Sequence, residues 1–168
     1  MGTYDDERHA AAVENLDVTS ATMRFLVPQN DSELRHRRAV LAGGRTSEVD
    51  SGRFAEPFWY PESPLTTVPI PSDAGRPRPS RPPRGELPVP AAGTLVPDVR
   101  TARGRLRDLA RTGFLLITDR DDVAVDGHFP APVRVLTTTS AVTAALGAYP
   151  GETWVVRPDA YVAAVVPA

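Results

Sequence analysis

The sequence of 168 residues contains no cysteine, which excludes disulfide bonds, thiolate catalysis, iron–sulfur clusters and cysteine-ligated zinc. It also contains no lysine, because all 19 basic residues are arginine, so Schiff-base and lysine-nucleophile mechanisms are excluded. No apolar run approaches the roughly 20 residues that a membrane-spanning helix needs. The first residues lack the basic and apolar regions of a signal peptide. These absences predict a cytoplasmic protein that does not bind membranes.

The charge of the chain gives little reason to expect a nucleic-acid partner. The formal net charge of −2 creates no long-range attraction for phosphate or acidic lipid. Arginines do concentrate at residues 76–84 and 100–111, a pattern that phosphate-binding patches use. The aromatic side chains that could stack on bases lie elsewhere in the sequence, and acidic residues offset the positive charge. We therefore expect no nucleic acid among the partners.

The distribution of proline divides the chain into three parts. Twelve of the 18 prolines fall between Pro57 and Pro97, where they disfavour regular helix and central strand. Residues 1–44 are predicted to be helical. Residues 45–90 hold an aromatic patch followed by a Pro/Arg-rich stretch that is typical of an extended linker. Residues 91–168 are predicted to form a compact domain.

The first part predicts two helices. Apolar and small residues recur at helical spacing before Pro28, which is expected to end the first helix. Asp31 or Ser32 can begin a second helix that stops at Gly43-Gly44. The first apolar stripe consists of Ala12, Leu16, Thr19, Met23 and Leu26. Two helices with one stripe each cannot bury both stripes alone, so the pattern predicts a partner surface.

The last part alternates between apolar runs and turn signals. A polar helix is predicted near Thr101–Arg111, ahead of the first apolar run. The elements predicted after it are a strand over 113–118, a strand over Val133–Thr137, a helix beginning at Ser140, and a terminal hairpin of 153–157 and 161–166. This order predicts an α/β (α+β) fold with a mixed sheet.

The end of the sequence resembles a known family. Val155–Asp159 followed by Tyr161–Ala163 resembles the "LVRPDGYVAWR" ending of class A flavoprotein aromatic hydroxylases, in the branch of polyketide and phenol hydroxylases. Ala160 stands where the family has Gly, and Ala164 where it has Trp.

Four further segments resemble motifs of that family, in the family's order. They are Tyr4–His9 ("YxxERHP"), Phe58–Tyr60 with Ser63–Leu65 ("GxxYxSPL"), Gly93 with Pro97 ("PGxRxPH", where Asp98 replaces His), and Asp108-Leu109 with Gly113–Leu116 ("LDLxGxGFxLL"). Together the five matches cover almost the whole chain.

The resemblance implies a thioredoxin-like C-terminal domain without redox cysteines. For a complete enzyme it implies FAD, reduction by NAD(P)H, and hydroxylation of an aromatic ring with O2. The family's Gly-x-Gly-x-x-Gly and "GDAAH" flavin motifs are absent, so we expect this chain to bind no cofactor and to be inactive alone. The predicted role is a structural or interaction module whose partner is an FAD-binding domain or subunit, or a second copy. The alternative is a self-contained module that binds a small ligand or a protein.

The sequence therefore predicts no catalytic, cofactor-binding or metal-binding residues. An acidic segment, Asp119–Asp126, precedes His128 but lacks the ligand spacing of a calcium loop, so it is interpreted as a solvated loop. The candidate interface residues are Phe54, Phe58, Trp59, Tyr60 and Leu65. The residues expected to shape the fold are Gly113, Phe114, Arg157, Pro158 and Asp159.

Overall fold

A computed structural model describes residues 2–45, 49, 58–60, 63–66, 89–123 and 129–167. The chain divides into two compact units, unit 1 (Met1–Phe58) and unit 2 (Trp59–Ala168). Phe54, His128 and most of the Pro/Arg-rich stretch lie outside the described residues. Each unit is described by itself.

Unit 1 contains two helices, α1 (Gly2–Leu26) and α2 (Asp31–Ala42). α1 ends two residues before Pro28, in agreement with the expected stop. The guanidinium of Arg37 on α2 donates a hydrogen bond from Nη1 to the carbonyl oxygen of Leu26 (3.1 Å). This bond satisfies one of the last carbonyls of α1 and ties the two helices together.

The start of α2 is set by Asn30, one residue before the expected position. The Asn30 side chain accepts a hydrogen bond from the Glu33 N–H (3.0 Å), and the Glu33 carboxylate accepts one from the Gln29 N–H (2.7 Å). This reciprocal arrangement satisfies backbone donors at the start of the helix. At the other end, the Gly43 N–H donates to the Ala39 carbonyl (3.0 Å).

The described part of unit 2 contains six short strands and two short helices. In chain order they are β1 (Arg100–Thr101), β2 (Gly104–Arg105), α3 (Leu106–Ala110), β3 (Phe114–Thr118), β4 (Val133–Thr137), α4 (Ser140–Leu146), β5 (Thr153–Val156) and β6 (Val162–Val166). β1 and β2 form a small antiparallel hairpin, and the other four strands form the main sheet.

The main sheet is mixed, which confirms the predicted fold class of helices followed by an α/β domain. Its strand order is β4-β3-β5-β6, with β3 and β4 parallel and the two other pairs antiparallel. Leu116 at the centre pairs with Val135 on one side and Val155 on the other. A parallel pair followed by an antiparallel hairpin is the arrangement expected for the thioredoxin-like prediction.

The core of unit 2 lies on one face of this sheet. Leu115 and Ile117 point to the core because side chains two residues apart share a face of a strand. Trp154 on β5 is fully buried in the same cluster. Helical residues that pack there are Leu106, Ala110, Val142 and Leu146.

The helix predicted near Thr101–Arg111 is wrong over its first half. Thr101 Oγ1 donates to the Gly104 carbonyl (2.8 Å) and accepts from the Arg103 N–H (3.1 Å), so these residues form a turn. Gly104 has φ +126°, a conformation that glycine adopts without strain. Only α3 is helical in this stretch.

An extended segment, residues 93–96, runs beside β6. The Gly93 N–H donates to the Val162 carbonyl (2.8 Å), and the Val162 N–H donates to the Thr94 carbonyl (2.9 Å). The Val96 N–H donates to the Ala160 carbonyl (2.8 Å). The outer edge of β6 is thereby covered over part of its length.

Candidate functional site

The aromatic segment predicted as an interface is held against the last hairpin of unit 2 through Tyr60. Tyr60 is 5% exposed, and its N–H donates to the Gly93 carbonyl (2.9 Å). Phe58 and Trp59 are half-buried. Phe54 lies outside the described residues. Tyr60 therefore anchors the segment, and the neighbouring side chains are more accessible to a partner.

A turn after Tyr60 presents Leu65 to solvent. The Thr66 N–H donates to the Ser63 carbonyl (2.9 Å), and the Leu65 N–H donates to Ser63 Oγ (3.0 Å). These bonds fix the backbone while the Leu65 side chain remains 42% exposed. Thr66 Oγ1 is buried without a hydrogen-bond partner. A fixed backbone that carries an exposed leucine suits a binding surface, because little conformational entropy is lost on binding.

The Tyr60 ring is held by an aromatic contact with the hairpin. Its centroid lies 4.9 Å from that of Tyr161, with the rings inclined at 64° in an edge-to-face arrangement. The guanidinium carbon of Arg157 lies 5.8 Å from the centre of the Tyr161 ring, within cation–π range. Tyr60 of the first motif and Tyr161 of the last motif are thus adjacent in space.

Arg157, Pro158 and Asp159 form the turn between β5 and β6. The Asp159 carboxylate accepts hydrogen bonds from Arg157 Nε (3.1 Å) and Nη2, and also from the Tyr161 N–H (3.3 Å). The Arg157 side chain is buried, whereas Asp159 remains partly exposed. All of these bonds act within the hairpin and hold its turn.

Gly113 and Phe114 begin the central strand β3. Gly113 has φ +152°, and a Cβ atom there would lie 2.2 Å from the Pro132 carbonyl oxygen. That oxygen accepts the Phe114 N–H (2.8 Å), which starts the pairing of β3 with β4. The Phe114 ring lies 5.2 Å from that of Phe129. These residues position the sheet and contact no candidate site.

Asp98, which stands where the family resemblance has His, forms an ion pair with Arg105 in unit 2. Arg105 Nε donates to Asp98 Oδ2 (2.7 Å), and this hydrogen bond lowers the pKa of the Asp98 carboxyl below its ordinary value. Asp98 Oδ1 is buried without a hydrogen-bond partner. The pair links the approach to β1 with β2.

The apolar stripe of α1 lies entirely on the exposed side of that helix. Its residues, all exposed, are Ala12, Leu16, Thr19, Met23 and Leu26. The half-buried residues recur at similar spacing along a different side of the helix, at Ala11, Glu14, Val18, Thr22 and Phe25. A helix that exposes Leu16, Met23 and Leu26 is expected to bind another surface.

A groove of about 510 Å³ lies between α1 and α2 in unit 1. Phe25 and His36 face each other across it, with ring centroids 6.4 Å apart. The remaining lining residues are Ala21, Arg24, Ser32, Glu33 and Val49. The groove combines two basic side chains with an aromatic ring, a set that can receive an aromatic carboxylate.

Among the described residues, no group of three or more His, Asp or Glu side chains is arranged to hold a metal ion. In the described part of the chain, no helix has both the length and the apolar character needed to cross a membrane.

The comparisons with known proteins give a structural likeness. No family model matches the sequence, and no curated protein sequence matches it. The rebeccamycin biosynthetic enzyme RebC with reduced flavin is similar over 96% of this chain, with a TM-score of 0.59 and 20% identity. RebC soaked with chromopyrrolic acid and holding 7-carboxy-K252c gives a TM-score of 0.58 and 21% identity.

This chain spans about a third of the length of these neighbours, covering 32% of the first and 33% of the second. At this level of identity the likeness shows the fold alone. The fold of the chain is thus similar to one part of an enzyme whose structure holds a flavin.

Proposed function

We propose that this chain is the C-terminal, non-flavin-binding portion of an FAD-dependent aromatic hydroxylase, where it acts as a structural or interaction module. The observation that carries the proposal is that nearly the whole chain superposes on a third of an enzyme described with reduced flavin. The five family motifs of the sequence support the same assignment.

FAD would be held by a separate domain or subunit. The sequence contains no Gly-x-Gly-x-x-Gly turn, so no helix start is built to receive the pyrophosphate of the cofactor. In the complete enzyme the flavin supplies oxygen activation. This chain would contribute a surface that completes or stabilises the catalytic portion.

The surface proposed for that contact is the aromatic segment of residues 58–65. Tyr60 fixes it to the last hairpin, and the turn at Ser63 holds Leu65 outward. The exposed Leu65 and the half-buried Trp59 of unit 2 are apolar side chains of the kind that dominate protein interfaces.

The first experiment is a flavin titration of the purified chain, alone and mixed with a separately produced flavin-binding portion from the same source. We expect no change in flavin fluorescence with the chain alone, and complex formation with restored hydroxylase activity in the mixture. Tight FAD binding by the chain alone would overturn the proposal.

A matched pair of substitutions locates the contact. Leu65→Ser should weaken binding to the flavin-binding portion about tenfold, which corresponds to about 1.4 kcal/mol for one lost apolar contact. Val135→Ser removes a similarly exposed side chain from β4 and should leave binding unchanged. Equal effects of both substitutions would argue against the aromatic segment as the contact surface.

The groove of unit 1 favours the alternative function, a self-contained module that binds a small ligand. An aromatic carboxylate would place its ring beside Phe25 and its charge near Arg24 and His36. Under this alternative, aromatic acids should raise the Tm of the chain, and Arg24→Ala should remove that effect. A Tm that aromatic acids leave unchanged would contradict it.

A further inference from the structure

The exposed side of α1 has the repeat of a helix-pairing surface. Val13, Leu16, Ser20, Met23 and Val27 follow one another at intervals of three and four residues, the a and d positions of a heptad. The four apolar members are between 44% and 66% exposed. The Val27 N–H still donates to the Met23 carbonyl (2.8 Å), so the helical bonding extends to the end of this series. We call these five residues the α1 seam.

The α1 seam is separate from the side of α1 that meets α2. Phe25 contacts His36, and Ala21 lines the groove beside α2. At 100° per residue, the centre of the seam lies nearly opposite to Phe25 around the helix. A second helix could therefore lie on the seam without displacing α2.

Two charged residues flank the seam on the same side. Asp17 and Arg24 are seven residues apart, both at the e position of the heptad, and both are exposed. Neither makes an ion pair within the part of the chain that the structure describes. Because one e position is acidic and the other is basic, this edge of α1 can form ion pairs with the same edge of a second copy.

The charges select one orientation and one register. In an antiparallel pair of identical helices, e positions face e positions, so Asp17 of each copy meets Arg24 of the other when the two-fold axis passes near Ala21 and Thr22. A shift by one heptad would place Asp17 against Asp17 of the second copy, where the two like charges repel. A parallel pair would set Asp17 against Ala12, with no charge pair.

We propose that α1 binds α1 of a second copy of this chain in this antiparallel arrangement. Leu16 then packs against Val27 of the second copy, and Ser20 against its Met23. Leu26, which is also exposed, packs against Thr19 of the second copy. The two Asp17–Arg24 pairs lie at the edges of the contact, where they set orientation more than affinity.

Sedimentation equilibrium of the full chain over a wide concentration range tests the contact. The wild-type chain is expected to form a concentration-dependent dimer. Leu16→Glu places a charge in the seam and should raise the dimer dissociation constant at least about tenfold. Leu41→Glu changes an equally apolar, exposed residue of α2 outside the seam and should leave the dimer unchanged.

A charge exchange tests the orientation. Asp17→Arg and Arg24→Asp should each weaken the dimer, because each sets like charges against one another, and the double variant should restore it. Far-UV circular dichroism of each variant confirms that α1 is formed. A monomer at all concentrations, a dimer insensitive to Leu16→Glu, or a double variant without recovery would overturn the proposal.

This inference goes beyond the proposed function and does not depend on it. Binding to the flavin-binding portion is assigned to residues 58–65, so a monomeric chain that still restores hydroxylase activity would overturn the dimer alone. A dimer without any flavin-binding partner would overturn the proposed function alone.

Discussion

Units 1 and 2 use their apolar residues in opposite ways. In unit 2, Ile117 and Trp154 are fully buried in a core that the main sheet and its helices enclose. In unit 1, Leu16 and Met23 are more than half exposed on α1. The comparison teaches that unit 2 carries its own stabilising core, whereas unit 1 has an apolar side that only another surface can bury.

Two spectroscopic signals report on the two units separately. Both tryptophans, Trp59 and Trp154, belong to unit 2, so tryptophan fluorescence follows the unfolding of that unit. α1 and α2 hold most of the helical residues, so far-UV circular dichroism follows mainly unit 1. A substitution in either unit can therefore be followed with the signal of that unit.

The largest expected effect is that of Gly113→Ala. The new Cβ would clash with the Pro132 carbonyl, which is rigid backbone at the start of β4. We expect a loss of more than about 4 kcal/mol in urea unfolding followed by fluorescence. Gly147→Ala is the control, since Gly147 also has positive φ but open space around its Cβ position, and it should cost about 1 kcal/mol. If both substitutions lowered the free energy of unfolding equally, the backbone of β3 and β4 would shift easily to accommodate the new Cβ atom.

Truncating an aliphatic side chain should destabilise unit 2 much more than unit 1. Ile117→Ala creates a cavity in the core of unit 2 and should cost about 3 kcal/mol. Leu41→Ala on α2 removes a half-exposed side chain and should change the free energy of unfolding by less than about 0.5 kcal/mol. A large cost for Leu41→Ala would show that this half-exposed side chain contributes as much to stability as a core residue of unit 2.

A smaller effect is expected from Asp159→Ala. The substitution removes the carboxylate that accepts from Arg157 and from the Tyr161 N–H, and should cost about 1–2 kcal/mol. The loss should appear in the fluorescence transition while the helical signal is unchanged. Asp122→Ala removes the exposed partner of Arg120 and should have no measurable effect. If Asp122→Ala lowered the free energy of unfolding as much as Asp159→Ala, the hydrogen bonds of the turn would contribute no more than an exposed ion pair.

The smallest effect is expected from Ala160→Gly. Ala160 has φ +68°, a left-handed conformation that costs about 1 kcal/mol for a residue with a Cβ atom. Glycine removes this strain but loses more entropy on folding, so a gain of no more than about 0.5 kcal/mol is expected. A loss of more than about 1 kcal/mol would mean that the buried methyl group contributes more than the strain costs.

Much of unit 2 could be predicted because its strands are short apolar runs between turn residues. The run from Phe114 to Thr118 follows Gly113, and the last two strands flank Pro158-Asp159. The hairpin β1–β2 was missed because Thr101 and Gly104 act through a side-chain hydrogen bond and a positive φ, neither of which changes the polar pattern. The expected mixed sheet is confirmed, whereas the strand order β4-β3-β5-β6 was not predicted, because local patterns locate strands without pairing them.

The candidate interface was less predictable. The aromatic cluster near Trp59 is visible in the sequence, but its attachment through Tyr60 to Gly93 and Tyr161 joins positions far apart in the chain. No local pattern encodes such a contact. The stripe of α1 is exposed because two helices joined by a short turn can cover only one side of each other. This exposure agrees with the expectation from the sequence that the two helices leave apolar residues for another surface.

The attachment of Tyr60 has a consequence for the order in which the chain folds during synthesis. Tyr60 is held by Gly93, and Gly93 by Val162, so this segment can dock only after the last strand has left the ribosome. The backbone hydrogen bonds of α1 join residues four apart, so this helix can form within microseconds of its emergence. The nascent chain therefore carries a finished helix with an exposed apolar side while the aromatic segment is still undocked. A chaperone that binds the nascent chain during that interval would bind α1 or the aromatic segment.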